Sequence, residues 1–194
     1  MPRAQEPGQV FNYASANTFV LGWLAERVTG TAYADLLGEL LWRRIGAEGD
    51  ALLSISRHGA TAVHGGLLAR LRDVARFGLL FTPSWPVVAS EPLVSERYLH
   101  AIQHGGRPEL FARSPRGQAS IELYQPPRPP HNTYQWDFVV PGGPFFKGGY
   151  GGQVLLIEPA RDLVVAAFGS YGEDGAESDM RYVAYQLAVS GLFG

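Results

Sequence analysis

Proline fills four of the five positions from 126 to 130 (Pro-Pro-Arg-Pro-Pro) and splits the chain into two stretches of different periodicity. A residue without an N–H and with φ held near −65° fits neither a helix interior nor a central strand, so no regular element crosses this run. Before it the apolar spacing is helical. Val20, Leu21, Leu24, Ala25 and Val28 form one stripe, which predicts a helix from Ser15 with Gly30 just past its end. Thr31 is the expected N-cap of a second helix, with Tyr33, Leu36, Leu37, Leu40 and Leu41 as its apolar face and an end near Gly46. Residues 47–66 look irregular, a third helix is expected over 68–80, and a short fourth begins after Ser95 and ends before Gly105. The stretch 105–132 looks like loop.

After the prolines the pattern becomes that of strands. Residues 134–140 are aromatic and β-branched, Pro141-Gly142-Gly143-Pro144 marks a turn, and 145–149 can return antiparallel. Two further strands, 153–158 and 163–170, flank a turn at 159–162, and Met180, Val183, Ala184, Leu187 and Ala188 mark a terminal amphipathic helix. Helices first and antiparallel strands afterwards make the expected class α+β rather than alternating α/β. The expected layout is one domain over 1–194: a leading loop over the first ten residues, a helical part over about 15–104, a loop over about 105–133, then an antiparallel sheet of three to four strands with a C-terminal helix over about 134–192. A sheet followed by one helix leaves a face to be covered, either by the earlier helices or by something else.

Composition narrows the chemistry. The chain has no cysteine, so disulfides, thiolate catalysis and cysteine-ligated metals are excluded. A net charge of −2 gives no reason to expect nucleic acid or an anionic membrane as partner. No window approaches the ~20 apolar residues of a membrane span. The first ten residues have no apolar core, so no signal peptide is expected and the chain as written reads as cytoplasmic. Of the 16 basic residues only Lys147 is a lysine. Any lysine-dependent step rests on that one side chain.

Two motifs draw attention. Tyr13-Ala14-Ser15, with Asn17 following, stands at a helix start, where the dipole and nearby cations can make a tyrosine a usable base. The alternative is a packing tyrosine beside a capping serine. Lys147-Gly148-Gly149-Tyr150-Gly151-Gly152 puts four glycines into a strand region, which suits close approach of a ligand or, equally, a bulged hairpin connection. The five histidines are scattered. His100 and His104 share helical i, i+4 spacing, but no third ligand is in view and no metal or cofactor is implied.

Together these segments resemble the serine β-lactamase-related hydrolases, a group that includes class C β-lactamases, low-molecular-weight penicillin-binding proteins, β-lactamase-fold esterases and 6-aminohexanoate-dimer hydrolases. The likeness runs through Tyr13-x-Ser15, Leu21-Gly22, Glu26-Arg27-Val28-Thr29-Gly30, then Asp73, Arg76, Phe77 and Gly78, then Lys147-Gly148-Gly149, over roughly residues 8–190 and in the family's order. The resemblance implies a partial β-lactamase/transpeptidase-like fold. It implies a role for Tyr13 in proton transfer, and substrate contacts from Ser15, Lys147, Gly148, Gly149 and Tyr150. Ser15 where class C enzymes carry Asn, and Gly148 where a hydroxyl is common, point away from penicillins toward amides and esters.

One family motif is missing. The only lysine able to complete Ser-x-x-Lys is Lys147, and the residue three before it is Pro144. Two expectations follow. The chain is part of a serine hydrolase that cleaves a small-molecule amide or ester through an acyl-enzyme, and it is inactive alone for want of the nucleophile. Alternatively it is a non-catalytic binding or assembly module, self-associating through an exposed sheet edge or apolar face.

Overall fold

The computed structural model describes residues 6–170 and 180–193; of the expected leading loop, residues 1–5 lie outside them. Five antiparallel strands form the centre: β3 (His131–Thr133), β4 (Trp136–Val139), β5 (Phe145–Gly148), β6 (Val154–Glu158) and β7 (Leu163–Ala167), side by side in chain order. A separate two-stranded pair, β1 (Leu52–Leu53) with β2 (Leu67–Leu68), lies outside this sheet. The helices are α1 (Ser15–Thr29), α2 (Tyr33–Leu40), α3 (Leu71–Leu79), α4 (Glu96–His104), α5 (Pro108–Arg113), α6 (Pro115–Tyr124) and α7 (Met180–Val189).

Both faces of the sheet are buried, and the alternation along β6 shows how. Leu155 and Ile157 point into a core with Ile45, Phe81, Ile102 and Phe145. Val154 and Leu156 point the other way, onto Phe111, Phe138, Phe146 and Tyr185. On the first face α3 packs against β6 and β7. Gly78 makes this close approach feasible, because a Cβ there would lie 2.6 Å from Val164. On the second face α7 covers β6 and β7 through Ala184, Tyr185 and Ala188. Its inner side is therefore rotated from the expected one, and Val183 is exposed.

Several sequence expectations change. The stretch 105–132 is not a loop: it holds α5 and α6, each with proline in its first turn. There the missing N–H has no intrahelical partner to lose, so Pro108 and Pro115 start helices instead of breaking them. Ser114 Oγ caps α6 by accepting from Gly117 N at 2.9 Å. Among the described residues the sheet has five strands rather than three to four, since β3 begins directly after the proline run. Its turn into β4 is the residue pair Tyr134 and Gln135, both at positive φ (46° and 68°), as a twisted two-residue hairpin favours. The third helix starts at Leu71 because Leu67 and Leu68 are extended against β1.

The α1–α2 corner also differs. The N-cap of α2 is Ala32, not Thr31, and no side chain of its own caps it. Glu26 of α1 accepts from Tyr33 N at 2.9 Å instead. Gly30 does end α1 in the left-handed region, at φ 69°. The stripe on α1 exists, but Val20, Leu21, Leu24 and Val28 are all more than half exposed. Only Gly22 of this helix is buried, against Val63.

Leu156 is fully buried at the middle of the sheet. Leu156→Ala is expected to lower the unfolding free energy by about 2–5 kcal/mol, read from urea denaturation followed by circular dichroism.

Candidate active site

Tyr13 sits in the extended segment just before α1, where Ala14 is the N-cap at φ −139° and ψ 102°. Ser15 is the first helical residue and makes no capping bond, so the capping role is not fulfilled. Two links hold this segment near the sheet. Phe11 packs on the buried Phe111 ring with centroids 5.5 Å apart, and Thr18 Oγ1 donates to Gln135 Oε1 at 2.6 Å.

Tyr13 meets two cations. The Arg116 guanidinium carbon lies 4.2 Å from the centre of its ring, and Lys147 Nζ lies 5.4 Å away. Both distances fall within cation–π range. Between the cations stands Asp137, only 8% exposed. Lys147 Nζ donates to its Oδ1 at 2.8 Å, Gly148 N donates to its Oδ2 at 3.0 Å, and Arg116 Nη2 is 3.6 Å from Oδ2. The pairing of Val139 with Phe145 and Phe138 with Phe146, continued by one step, sets Asp137 opposite Lys147. The carboxylate thus fixes at once the lysine, the backbone that follows it and the arginine over the tyrosine.

The glycines after Lys147 have internal reasons. A Cβ on Gly148 would lie 2.6 Å from Arg181, and one on Gly149 would lie 2.7 Å from Gln153. Gly151 and Gly152 are at φ 74° and 97°. Gly149 N donates to Gln153 O at 2.8 Å, and the Gln153 amide reaches Tyr150 O and Gly169 O. This is a hairpin connection between β5 and β6, consistent with the structural alternative for this motif.

A cavity of about 370 Å³ opens in front of Tyr13 and Lys147. Asn12, Asn17, Thr18, Arg107, Asn132 and Asp137 also line it, so its wall is rich in amides and charges. Of the residues singled out from sequence, Tyr13 and Lys147 share this cavity. Ser15, Gly148, Gly149 and Tyr150 are not part of its wall, and Tyr150 is 99% exposed. Asp137, Arg116 and Arg107 went unrecognised in the sequence. A charged residue inside the run Trp136-Asp137-Phe138-Val139-Val140 was the available sign of a buried pair. The other two stand in 105–132, a stretch whose prolines and glycines read as loop. Among the described residues no group of three or more His, Cys, Asp or Glu side chains is placed to hold a metal ion.

A family model described as Beta-lactamase matches residues 1–189. The chain belongs to this family. Its 6-aminohexanoate-dimer hydrolase relative from Paenarthrobacter ureafaciens is 30% identical over 161 residues, which is 83% of this chain but 39% of that protein. A Bacillus anthracis structure, provisionally described as a 6-aminohexanoate-dimer hydrolase, superposes with a TM-score of 0.75 at 23% identity, covering 99% of this chain and 46% of the other. EstCE1, a hydrolase with promiscuous acyltransferase activity, gives a TM-score of 0.61 at 17% identity, over 96% of this chain and 58% of its own. The chain therefore spans less than half the length of the curated relative it matches, and it carries a β-lactamase-family hydrolase fold over that part.

Asp137→Ala removes the acceptor of Gly148 N–H and the partner of Lys147. The expected loss is about 1–3 kcal/mol of unfolding free energy, with Asp137→Asn losing less because it keeps one acceptor oxygen; urea denaturation of the two variants side by side measures it.

Proposed function

We propose that this chain forms one part of an acyl-transfer site for small amides or esters, with the nucleophilic serine supplied from outside these 194 residues. The observation that carries the reading is the meeting of Tyr13, Arg116 and Lys147 at one cavity wall. In this reading Tyr13 relays the proton between nucleophile and leaving group. Arg116 and Lys147 hold the ring in place through its face. Lys147, at the same wall, serves the substrate carbonyl side, where developing negative charge needs a fixed donor.

The substrate class follows from two supports. The cavity wall offers amide and hydroxyl groups rather than an apolar slot. The Paenarthrobacter relative is described as a 6-aminohexanoate-dimer hydrolase. Gly148 carries no hydroxyl to bind a penicillin carboxylate, which favours simpler amides and esters over β-lactams.

With no Ser-x-x-Lys in its sequence, the chain alone is expected to turn over neither nitrocefin nor p-nitrophenyl esters above a Tyr13→Phe control. A fluorophosphonate probe is expected to label no serine. Turnover accompanied by one labelled serine of this chain, located by peptide mass spectrometry, would overturn the proposed division of the site.

A second reading, an assembly module, is favoured by one observation: Val20, Leu21, Trp23, Leu24 and Val28 leave α1 with a broad exposed apolar surface. Size-exclusion chromatography with light scattering is expected to show concentration-dependent self-association if this face is used. A monomer with a cooperative melt at high concentration rules that use out.

A further inference from the structure

Among the described residues the cavity in front of Tyr13 has three charged groups in its wall: Asp137, Lys147 and Arg107. The first two are bonded to each other at 2.8 Å. Arg107 differs, because among the described residues no carboxylate is paired with it. Its guanidinium lies against Gly8, another residue of the same wall. Gly8 is at φ 74°, and a Cβ there would stand 3.0 Å from Arg107 Nη2. A backbone without a side chain therefore leaves the guanidinium its place.

The backbone beneath Arg107 is well fixed. Its carbonyl accepts from Leu110 N and Phe111 N at 3.1 and 3.2 Å, as the residue opening α5. Gly106 before it packs so closely on the buried His131 that a Cβ would meet Nδ1 at 1.9 Å. A charged fork on a fixed backbone at a cavity wall, with no carboxylate paired to it among the described residues, is the arrangement that recognises a planar anion.

We infer that Arg107 is a specificity-determining residue that selects linear substrates with a free carboxylate, the carboxylate sitting at Arg107 and the scissile amide toward Tyr13 and Lys147. The inference rests on the reading of this cavity as the substrate site. It assigns carboxylate recognition away from the lysine strand, where Asp137 already occupies Lys147 and Gly148 provides no hydroxyl. Asn12, Asn17 and Asn132 along the wall give the intervening chain hydrogen-bonding partners without adding charge.

The single lysine supplies the readout. Reductive methylation with ¹³C-formaldehyde places one side-chain label, on Lys147, and leaves its charge in place. The labelled chain is titrated with N-acetyl-6-aminohexanoate and, separately, with the corresponding carboxamide, in a buffer free of carboxylate and phosphate. The acid is expected to shift the Lys147 signal with an affinity at least about tenfold above that of the carboxamide. Arg107→Gln is expected to bring the acid down to the level of the carboxamide, while Arg107→Lys keeps part of the difference. Because the Arg107 side chain is exposed, both variants are expected to keep the parent circular dichroism spectrum and melting temperature. Equal affinities for the two ligands in the parent, or a preference that survives Arg107→Gln, would overturn the assignment and leave the cavity reading standing. No response to either ligand would overturn both.

Discussion

The double burial of the antiparallel sheet is the constraint from which the rest follows. Adjacent residues of β6, and of the Phe145–Phe146 half of β5, serve opposite cores, so neither stretch has a side that tolerates polar substitution. A one-residue slip would exchange the two faces and bring Phe145 and Phe146 into each other's places. That rigidity is what allows a charged pair to exist at the end of the same ladder. Asp137 and Lys147 sit where the apolar alternation ends, and the register that aligns Val139 with Phe145 also aligns the carboxylate with the amine. The order of the site is borrowed from the order of the core.

The site is accordingly made of a rigid part and an attached part. Asp137, Lys147 and Gly148 belong to the sheet, and Arg116 belongs to a capped helix beside it. Tyr13 reaches them from an extended segment ahead of α1, a helix that contributes only one buried residue. The chemistry proposed for this cavity needs both parts in register, because a proton relay depends on sub-ångström distances.

Much of this was legible in the sequence, for physical reasons that differ from place to place. The strands were recognisable because aromatic and β-branched runs bounded by Pro-Gly-Gly-Pro and Pro-Ala-Arg-Asp have few other folds open to them. The helix ends at Gly30 and Ser95 followed from local cap chemistry. Helices α5 and α6 were hidden because each is opened by a proline, whose breaking and starting roles differ only by position within the turn. The cap on Tyr33 was hidden because it comes from Glu26 across a corner rather than from the adjacent Thr31. Tyr13 and Lys147 stood out by motif. Their partners Asp137 and Arg116 are long-range neighbours, and nothing local in the sequence declares such a pairing.

That long range has a kinetic side. Positions 13, 116, 137 and 147 converge only after more than a hundred residues have been folded back, a closure that comes late in the assembly of a chain. On the way out the order reverses. The segment carrying Tyr13 is tied on by side-chain contacts alone, the Phe11–Phe111 rings, the Thr18–Gln135 bond and the two cations on the Tyr13 ring, whereas the sheet is closed by its own backbone ladder and two cores. Loss of the site and loss of the fold are then separate events. A melting curve would report the second and pass over the first.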